Sequence, residues 1–242
     1  MIEFAGIRSD ERYLIIEHHP GRTLPKRKYN IQAIPGGSMD YAIEEAEDAF
    51  SNYNQTYTAF LDAKAPGLQQ VSRGLAEWLL SKPGYQRLED SYDPDVYRMA
   101  LYTGGEDFIN IMNEYGRGNL TFNCAPKRYY KSGETPITLV DGDVLYSPSV
   151  FHAKPILKIT GNGTCQIYYE RKDGSGVTFE IEGVNGTVTV DVERHTARYA
   201  NGTSLNTKVK SAYENLILDT ETQIGWNDKV SSVVMIPRWW TI

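Results

Sequence analysis

The sequence has few of the features that mark common functional classes. Of its 242 residues only 2 are cysteine, and with no Cys-x-x-Cys motif or ligand-spaced histidines the pattern indicates neither a disulfide framework nor a zinc site. No stretch is long and apolar enough to span a membrane, and the N-terminus lacks the basic and apolar regions of a signal peptide. We therefore expect a protein that folds in a cytosol.

An excess of basic residues is also lacking. The formal net charge of −6 argues against a nucleic-acid binder that neutralises phosphates along its surface. The sequence contains no Gly-x-Ser-x-Gly, P-loop, dinucleotide-binding or His-Glu-x-x-His motif. We accordingly predict no catalytic residue, no cofactor and no metal site, although the carboxylate pairs of glycosidases leave no motif by which to exclude them.

The chain is rich in tyrosine (17 residues) and glycine (21 residues). With few long helical patterns, this composition is typical of short strands joined by tight turns, and it predicts a mainly β protein. The length favours two domains, each large enough to bury its own core. A polar, turn-rich stretch follows the strand that ends at Pro126, and we place the boundary there. We predict a first domain over 1–130, a linker over 131–148 and a second domain over 149–242.

The clearest helix in the sequence lies in the first domain. Leu68, Val71, Leu75 and Trp78 recur at helical spacing with polar residues on the opposite side, which predicts an amphipathic helix over 68–81. Lys82-Pro83-Gly84 should end it, because proline cannot continue the hydrogen-bond ladder. The alanines of segment 40–50 share a helical face, so we also expect a short helix there.

The rest of the first domain alternates as β-strands do. Tyr29, Ile31 and Ala33 share one face of a predicted strand that ends at Pro35-Gly36-Gly37. The remaining predicted strands are Ile2 to Ala5, Arg12 to Glu17, Thr56 to Ala63, Gln86 to Leu88, Val96 to Tyr102, Phe108 to Asn113 and Asn119 to Cys124.

The second half is punctuated by Asn-Gly at short intervals. Asn-Gly supplies the positive φ angles of a type I′ turn, so we predict hairpin turns at 161–163, 173–176, 184–186 and 201–202. The strands between them, with two more after residue 220, predict an antiparallel sandwich.

Several stretches together resemble the distal tail (Dit) proteins of long-tailed phages of Gram-positive bacteria. Their order and spacing carry the resemblance, which covers nearly the whole chain. The stretches are Phe4-Ala5-Gly6, Pro35-Gly36-Gly37, Glu77-Trp78-Leu79, Leu120 to Tyr129, Lys154-Pro155, Thr189 to Glu193, Tyr199 to Asn206, Gly225-Trp226 and Val230 to Trp239.

The resemblance implies an N-terminal β-sandwich-like domain that forms a ring and a C-terminal galectin-like antiparallel β-sandwich. It implies a non-enzymatic virion protein, assembled in the bacterial cytoplasm, that sits at the tail tip as a homo-hexamer or as a dodecamer of two rings. The implied partners are the major tail tube protein, a tail-associated tip protein and receptor-binding or baseplate proteins, with DNA only in transit and no membrane. The particle is a phage, a prophage or a phage-tail-like bacteriocin.

Candidate contact residues follow from this hypothesis. The loop Arg22 to Lys28 and the segment 40–53 are long for simple hairpin connections, so we expect intersubunit or tube-docking contacts at Arg27, Tyr29, Tyr41 and Tyr53.

Two other functional hypotheses remain open. A carbohydrate-binding module would use exposed aromatic rings, for which Trp226, Trp239 and Trp240 are candidates for contact with a glycan or a partner. For Trp239 and Trp240 we favour structural roles instead, because Val233, Met235 and Pro237 are typical of a final edge strand. The third hypothesis, a cell-wall hydrolase, has no candidate residue.

Overall fold

The structure is a computed structural model that describes residues 1–18, 20–37, 41–44, 49–62, 67–104, 109–111 and 115–242. The chain divides into two compact units, Met1–Arg128 together with Ile242, and Tyr129–Thr241. The predicted fold class is confirmed, because the described elements are strands apart from one α-helix and four short 3-10 helices. No helix in these ranges is long and apolar enough to cross a membrane.

The first unit is built on one antiparallel sheet. Its strands are β1 (Ile2–Phe4), β2 (Ile7–Arg8), β3 (Leu14–Ile16), β6 (Tyr53–Asp62), β7 (Gln86–Asp90), β8 (Val96–Tyr102), β9 (Ile109–Ile111) and β10 (Tyr115–Tyr130), with β4 (Tyr29–Gln32) and β5 (Tyr41–Glu44) in a separate pair. The spatial order is β2-β1-β7-β8-β10-β6-β3, and β9 also pairs with β10. As predicted, alternate residues of β10 (Leu120, Phe122 and Cys124) are fully buried.

Helix α1 (Leu68–Leu80) covers this sheet. Its buried residues include Val71, Leu75 and Trp78, as the helical spacing predicts, and burying such side chains stabilises the unit by about 1.5–3 kcal/mol each. The indole Nε1 of Trp78 donates to the backbone oxygen of Phe4 at 2.9 Å. The helix is thereby fixed to strand β1 by a directional bond as well as by apolar contact.

The short helix predicted over 40–50 is wrong where the structure describes the segment. Tyr41–Glu44 is strand β5, paired antiparallel with β4, and residues 40 and 45–48 lie outside the described ranges. Three alanines on one face give a helix little to bury, whereas aromatic and β-branched residues at 41 and 43 suit a strand.

The second unit is built on a seven-stranded antiparallel sheet around its own core. Its strands are β11 (Ile137–Leu139), β12 (Asp143–Tyr146), β13 (Ile156–Arg171), β14 (Gly176–Asp191), β15 (Thr196–Tyr199), β16 (Glu221–Trp226) and β17 (Val230–Ile236), whereas β18 (Trp240–Thr241) pairs with β10. Strand β13 pairs with β14 along its whole length, with β17 through its first half and with β16 through its second half. The predicted alternation at Val188, Val190 and Val192 is confirmed, since all three are buried.

Two of the predicted hairpin turns are wrong. Residues 161–163 and 184–186 lie inside the continuous strands β13 and β14, where Asn162 pairs with Asn185. The register shifts between Gly163 and Cys165, which is a β-bulge. Positive φ at Gly163 and Gly186 is therefore used within a strand pair and not to reverse the chain. The turn at 173–176 does join β13 to β14.

Residues 131–148, for which the sequence predicts a linker, belong to the second unit. Ile137 pairs with Met235 and Leu139 with Val233, while β12 pairs with β16. Leu139 is 5% exposed and packs into the core.

An ion pair closes the end of β14. The Arg238 guanidinium donates to both carboxylate oxygens of Asp191, at 2.8 and 3.2 Å, and the backbone N–H of Arg194 donates to Oδ1. Burial alone would raise the pKa of Asp191, but these bonds outweigh it, so the pKa lies below its ordinary value.

Candidate assembly surface

Strands β4 and β5 of the first unit form a two-stranded ribbon. Tyr29 pairs with Glu44 and Gln32 with Tyr41, and among the described strands neither pairs with any other. We call residues 20–37 and 41–44 the arm. An isolated two-stranded ribbon is marginally stable in water, so the arm gains stability from whatever anchors or covers it.

Buried polar side chains anchor the base of the arm. The amide of Gln55 donates to the backbone oxygen of Gly21 at 3.1 Å, and the guanidinium of Arg128 donates to that of Thr23 at 3.2 Å. Both side chains are 2% exposed. The base of the arm is therefore bonded directly to strands β6 and β10 of the main sheet.

The next part of the arm follows the chain that returns to β6. The N–H of Lys28 donates to the oxygen of Ala49 at 2.9 Å, and Ser51 donates to Lys26 at 2.8 Å. The Arg27 guanidinium lies over the Phe50 ring, 4.8 Å from its centre, a cation–π contact. These contacts hold the stem of the arm up to the start of β4.

Large apolar side chains of the arm face solvent. The exposed fraction is 61% for Leu24, 47% for Tyr29, 64% for Ile31 and 49% for Ile34. The predicted one-sided alternation at Tyr29 and Ile31 therefore does not bury them within the chain. Apolar side chains grouped on an exposed ribbon are typical of a protein–protein contact. Exposed basic residues flank them at Arg22, Lys26, Arg27 and Lys28.

A buried ionic network lies beneath the base of the arm. Asp90 accepts from the Tyr57 hydroxyl at 2.9 Å and lies 3.2 Å from the Arg98 guanidinium. Arg98 also donates to Tyr57 at 3.1 Å. Burial raises the pKa of Tyr57 well above its ordinary value, and the Arg98 charge only partly opposes that shift.

Two further groups complete the network. The Nε of Arg128 donates to the Tyr53 hydroxyl at 3.3 Å, and the Arg128 guanidinium is 3.6 Å from the carboxylate of Asp93. Burial raises the pKa of the Cys124 thiol to about 11, although nearby arginines favour the thiolate. Arg128 therefore fixes the base of the arm through Thr23, and Arg98 is held by Asp90 and Tyr57.

The structure places the four predicted contact residues in two locations. Arg27, Tyr29 and Tyr41 belong to the arm, on its stem and on its two strands. Tyr53 is 6% exposed and lies in the core at the start of β6. It therefore supports the arm through Arg128 and does not reach the surface.

The tryptophans proposed as glycan or partner contacts are packed within the second unit. Trp240 is 3% exposed, stacks on Phe151 with ring centres 4.5 Å apart, and donates from Nε1 to the oxygen of His152. Trp226 and Trp239 are partly buried against the core. No cluster of three or more potential metal ligands occurs within the described ranges.

The exposed apolar residues of the arm, Leu24, Ile31 and Ile34, were not among the predicted contacts. The sequence gives only a weak indication that they are exposed. They stand in a basic segment flanked by Pro20, Pro25 and Pro35, where the pattern offers no second apolar stripe to bury them.

Comparison with solved structures gives a match over the full length. The crystal structure of the Dit protein of phage SPP1, described as a paradigm of the hub of the adsorption apparatus in phages that infect Gram-positive bacteria, has a TM-score of 0.78 to this chain. The two are 12% identical, and the match covers 100% of this chain and 98% of that one. This chain therefore has the fold of SPP1 Dit, and the fold resemblance predicted from the sequence is confirmed.

Other matches are weaker. The baseplate of phage P2 in its activated conformation matches with a TM-score of 0.47 with calcium and 0.45 with strontium, at 11% and 12% identity. Each covers 97% of this chain and 89% of the other, and at these scores they add nothing to the fold assignment. No protein-family model matches the chain. No curated protein matches it either.

Proposed function

We propose that this chain is a structural, non-enzymatic hub of a phage tail tip, a ring-forming protein that joins the tail tube to tip and receptor-binding proteins. The observation that carries the proposal is the full-length match to the fold of SPP1 Dit. The ring leaves a channel through which DNA passes, and the particle assembles in the bacterial cytoplasm. The same role serves a phage, a prophage or a tail-like bacteriocin.

The arm is the part of the first unit best suited to close the ring. A cyclic assembly uses heterologous contacts, in which one patch meets a different patch on the next copy. The arm offers apolar side chains that its own chain leaves exposed, beside four basic residues. A second copy carries a net charge of −6, so the charge of the arm is complementary to that of its neighbour.

The edges of the arm add a second means of contact. Strands β4 and β5 pair only with each other among the described strands, so each has a second edge that no described strand covers. A strand of a neighbouring copy can pair with such an edge. Apolar contact then supplies affinity, and backbone pairing fixes the register.

The first test is the mass of the full chain by light scattering coupled to gel filtration, with negative-stain imaging of the peak. We expect a hexamer or a dodecamer with a ring outline. Ile31→Asp places a charge on the 64% exposed apolar ribbon, and we expect it to shift the mass to that of a monomer.

Val150→Asp is the matched control, because Val150 is another β-branched residue, 76% exposed, and lies in the second unit. It should leave the mass unchanged. A wild-type protein that stays monomeric at its highest soluble concentration would contradict ring formation by this chain. Rings that survive Ile31→Asp would contradict the role of the arm but not the ring itself.

A further inference from the structure

A groove with a volume of about 510 Å³ runs across the outer face of the second unit. It lies over strands β13, β14 and β16 and the turn before β12, and its wall residues include Gly142, Tyr168, Glu170, Gly176, Gln223 and Gly225. Its volume is within the range of about 300–1,000 Å³ that small-molecule sites occupy. Because all of these residues lie in the second unit, the groove does not depend on ring assembly.

The strand register leaves one flank of an aromatic ring uncovered. Tyr168 of β13 pairs with Gly225 of β16, and the next outward position, Glu170, pairs with Gly176 of β14. Neither glycine has a side chain to cover its neighbour. Tyr168 consequently remains 40% exposed, and the groove lies beside its ring.

The ring is held in a fixed orientation. The Tyr168 hydroxyl donates to Oε1 of Gln166 at 2.7 Å, and Nε2 of Gln166 donates to the Glu180 carboxylate at 2.6 Å. A ligand that stacks on Tyr168 therefore does not have to immobilise it, which lowers the entropic cost of binding.

The opposite wall of the groove is also fixed. Oδ1 of Asp141 accepts from the backbone N–H of Trp226 at 2.9 Å, which holds the turn before β12 against β16. The amide of Gln223 donates to the backbone oxygen of Gly142 at 3.1 Å. This bond engages the donor end of Gln223 and leaves its oxygen as an acceptor.

The polar groups of the groove therefore favour a ligand with many donors. The Glu170 carboxylate is exposed and forms no hydrogen bond or ion pair with the part of the chain that the structure describes. Across the strand pair it faces Gln223. Two acceptors beside one flat apolar ring match a sugar, which presents C–H groups on its face and hydroxyl donors at its edge.

We infer that this groove binds a neutral glycan, with Tyr168 as the stacking platform and Glu170 and Gln223 as hydroxyl acceptors. The negative charge of Glu170 disfavours acidic polymers. The groove is also broader than a single amino-acid side chain of a bound peptide would need. A hub with this site contacts glycans directly, at a place distinct from Trp226 and Trp240.

The test uses the full chain and four disaccharides, namely maltose, cellobiose, lactose and diacetylchitobiose. Saturation-transfer NMR detects binding, and calorimetry measures its affinity. We expect at least one disaccharide to bind. Tyr168→Ala should lower the affinity about tenfold, since stacking on an aromatic ring contributes about that much to binding. Glu170→Gln should weaken binding less, because the amide keeps one acceptor.

Tyr146→Ala is the matched control, because Tyr146 is a 66% exposed tyrosine on the adjacent strand β12 that is not part of the groove. It should bind like the wild type. Circular dichroism and light scattering show that each variant is folded and assembled as the wild type is, so a result here is separable from the ring test. The inference is overturned if no disaccharide binds, if Tyr168→Ala binds as the wild type does, or if the groove binds N-acetyl-lysinamide instead.

Discussion

Replacing Asp90 by asparagine tests whether the buried ionic network holds the first unit together. The Asp90 carboxylate accepts from Tyr57 and contacts Arg98 through Oδ2, and it accepts from the backbone N–H groups of Tyr92 and Asp93 through Oδ1. Asparagine keeps the acceptor for the turn. It removes the charge that balances Arg98 and places an N–H donor where an acceptor stood.

The size of the effect follows from burial. Asp90 is 7% exposed and Arg98 5% exposed, and removing one partner of a buried pair costs about 3–5 kcal/mol because the other charge is left uncompensated. The turn bonds survive, so we expect a loss near the lower end, about 3 kcal/mol. This is a large part of the roughly 5–15 kcal/mol that stabilises a domain.

Hydrogen exchange read by mass spectrometry measures this loss unit by unit. Peptides from β7 and β8 should exchange faster in Asp90→Asn, whereas peptides from β13 and β14 serve as an internal reference. Asp10→Asn is the control, because its carboxylate is 52% exposed and pairs with Arg8, which is itself 48% exposed, and an exposed pair should contribute less than about 1 kcal/mol.

Adding Arg98→Met to Asp90→Asn should restore much of the stability, since the uncompensated charge is then absent. If Asp90→Asn costs no more than Asp10→Asn, the argument from buried charge is refuted. If the double variant is as unstable as the single one, the cost arises from the lost hydrogen bonds and not from the charge.

Three further predictions concern the second unit and the thiols. Gly161→Ala should destabilise the protein by about 1–3 kcal/mol in urea unfolding, because its Cβ would lie 2.5 Å from the backbone oxygen of Lys229, in the turn before β17, whereas Gly176→Ala meets nothing within 4 Å. Burial would raise the pKa of Asp191, but its bond to Arg238 outweighs burial and lowers the pKa. The second unit should therefore lose stability as pH falls below about 4. Asp191→Asn should flatten that dependence in acid titrations. Cys124, with its pKa raised by burial to about 11, should react with thiol reagents at neutral pH only after unfolding.

The elements that the sequence predicts well are those whose pattern is local. Helix α1 has its apolar residues at helical spacing and a proline after its end, and both signals can be read without knowing its neighbours. The alternation of Leu120, Phe122 and Cys124 likewise identifies a buried face.

The misses share a physical cause, because they depend on partners distant in sequence. Asn-Gly at 162–163 and 185–186 predicts the positive φ angles of a type I′ turn, but only Gly163 and Gly186 have positive φ, not the asparagines. The pairing of β13 with β14 decides that the chain continues through these positions. The alternation of Tyr29 and Ile31 shows that they share a face and cannot show whether anything covers it.

The predicted contact residues also depend on partners distant in sequence. The long connections pointed to the arm, and Arg27, Tyr29 and Tyr41 lie on it. No local pattern reveals that Arg128 is buried and fixes the base of the arm, since an arginine in a strand is usually exposed. Tyr53 was therefore predicted as a contact although it lies inside.

The anchoring of the arm has a mechanical consequence. The bonds to Gly21 and Thr23 come from Gln55 on β6 and Arg128 on β10, so tension on the arm enters two strands that are themselves paired over a long antiparallel register. A force on the arm then acts on the hydrogen bonds between β6 and β10 and not on the stem alone. Force applied to the base of the arm would therefore pass into β6 and β10 through Gln55 and Arg128.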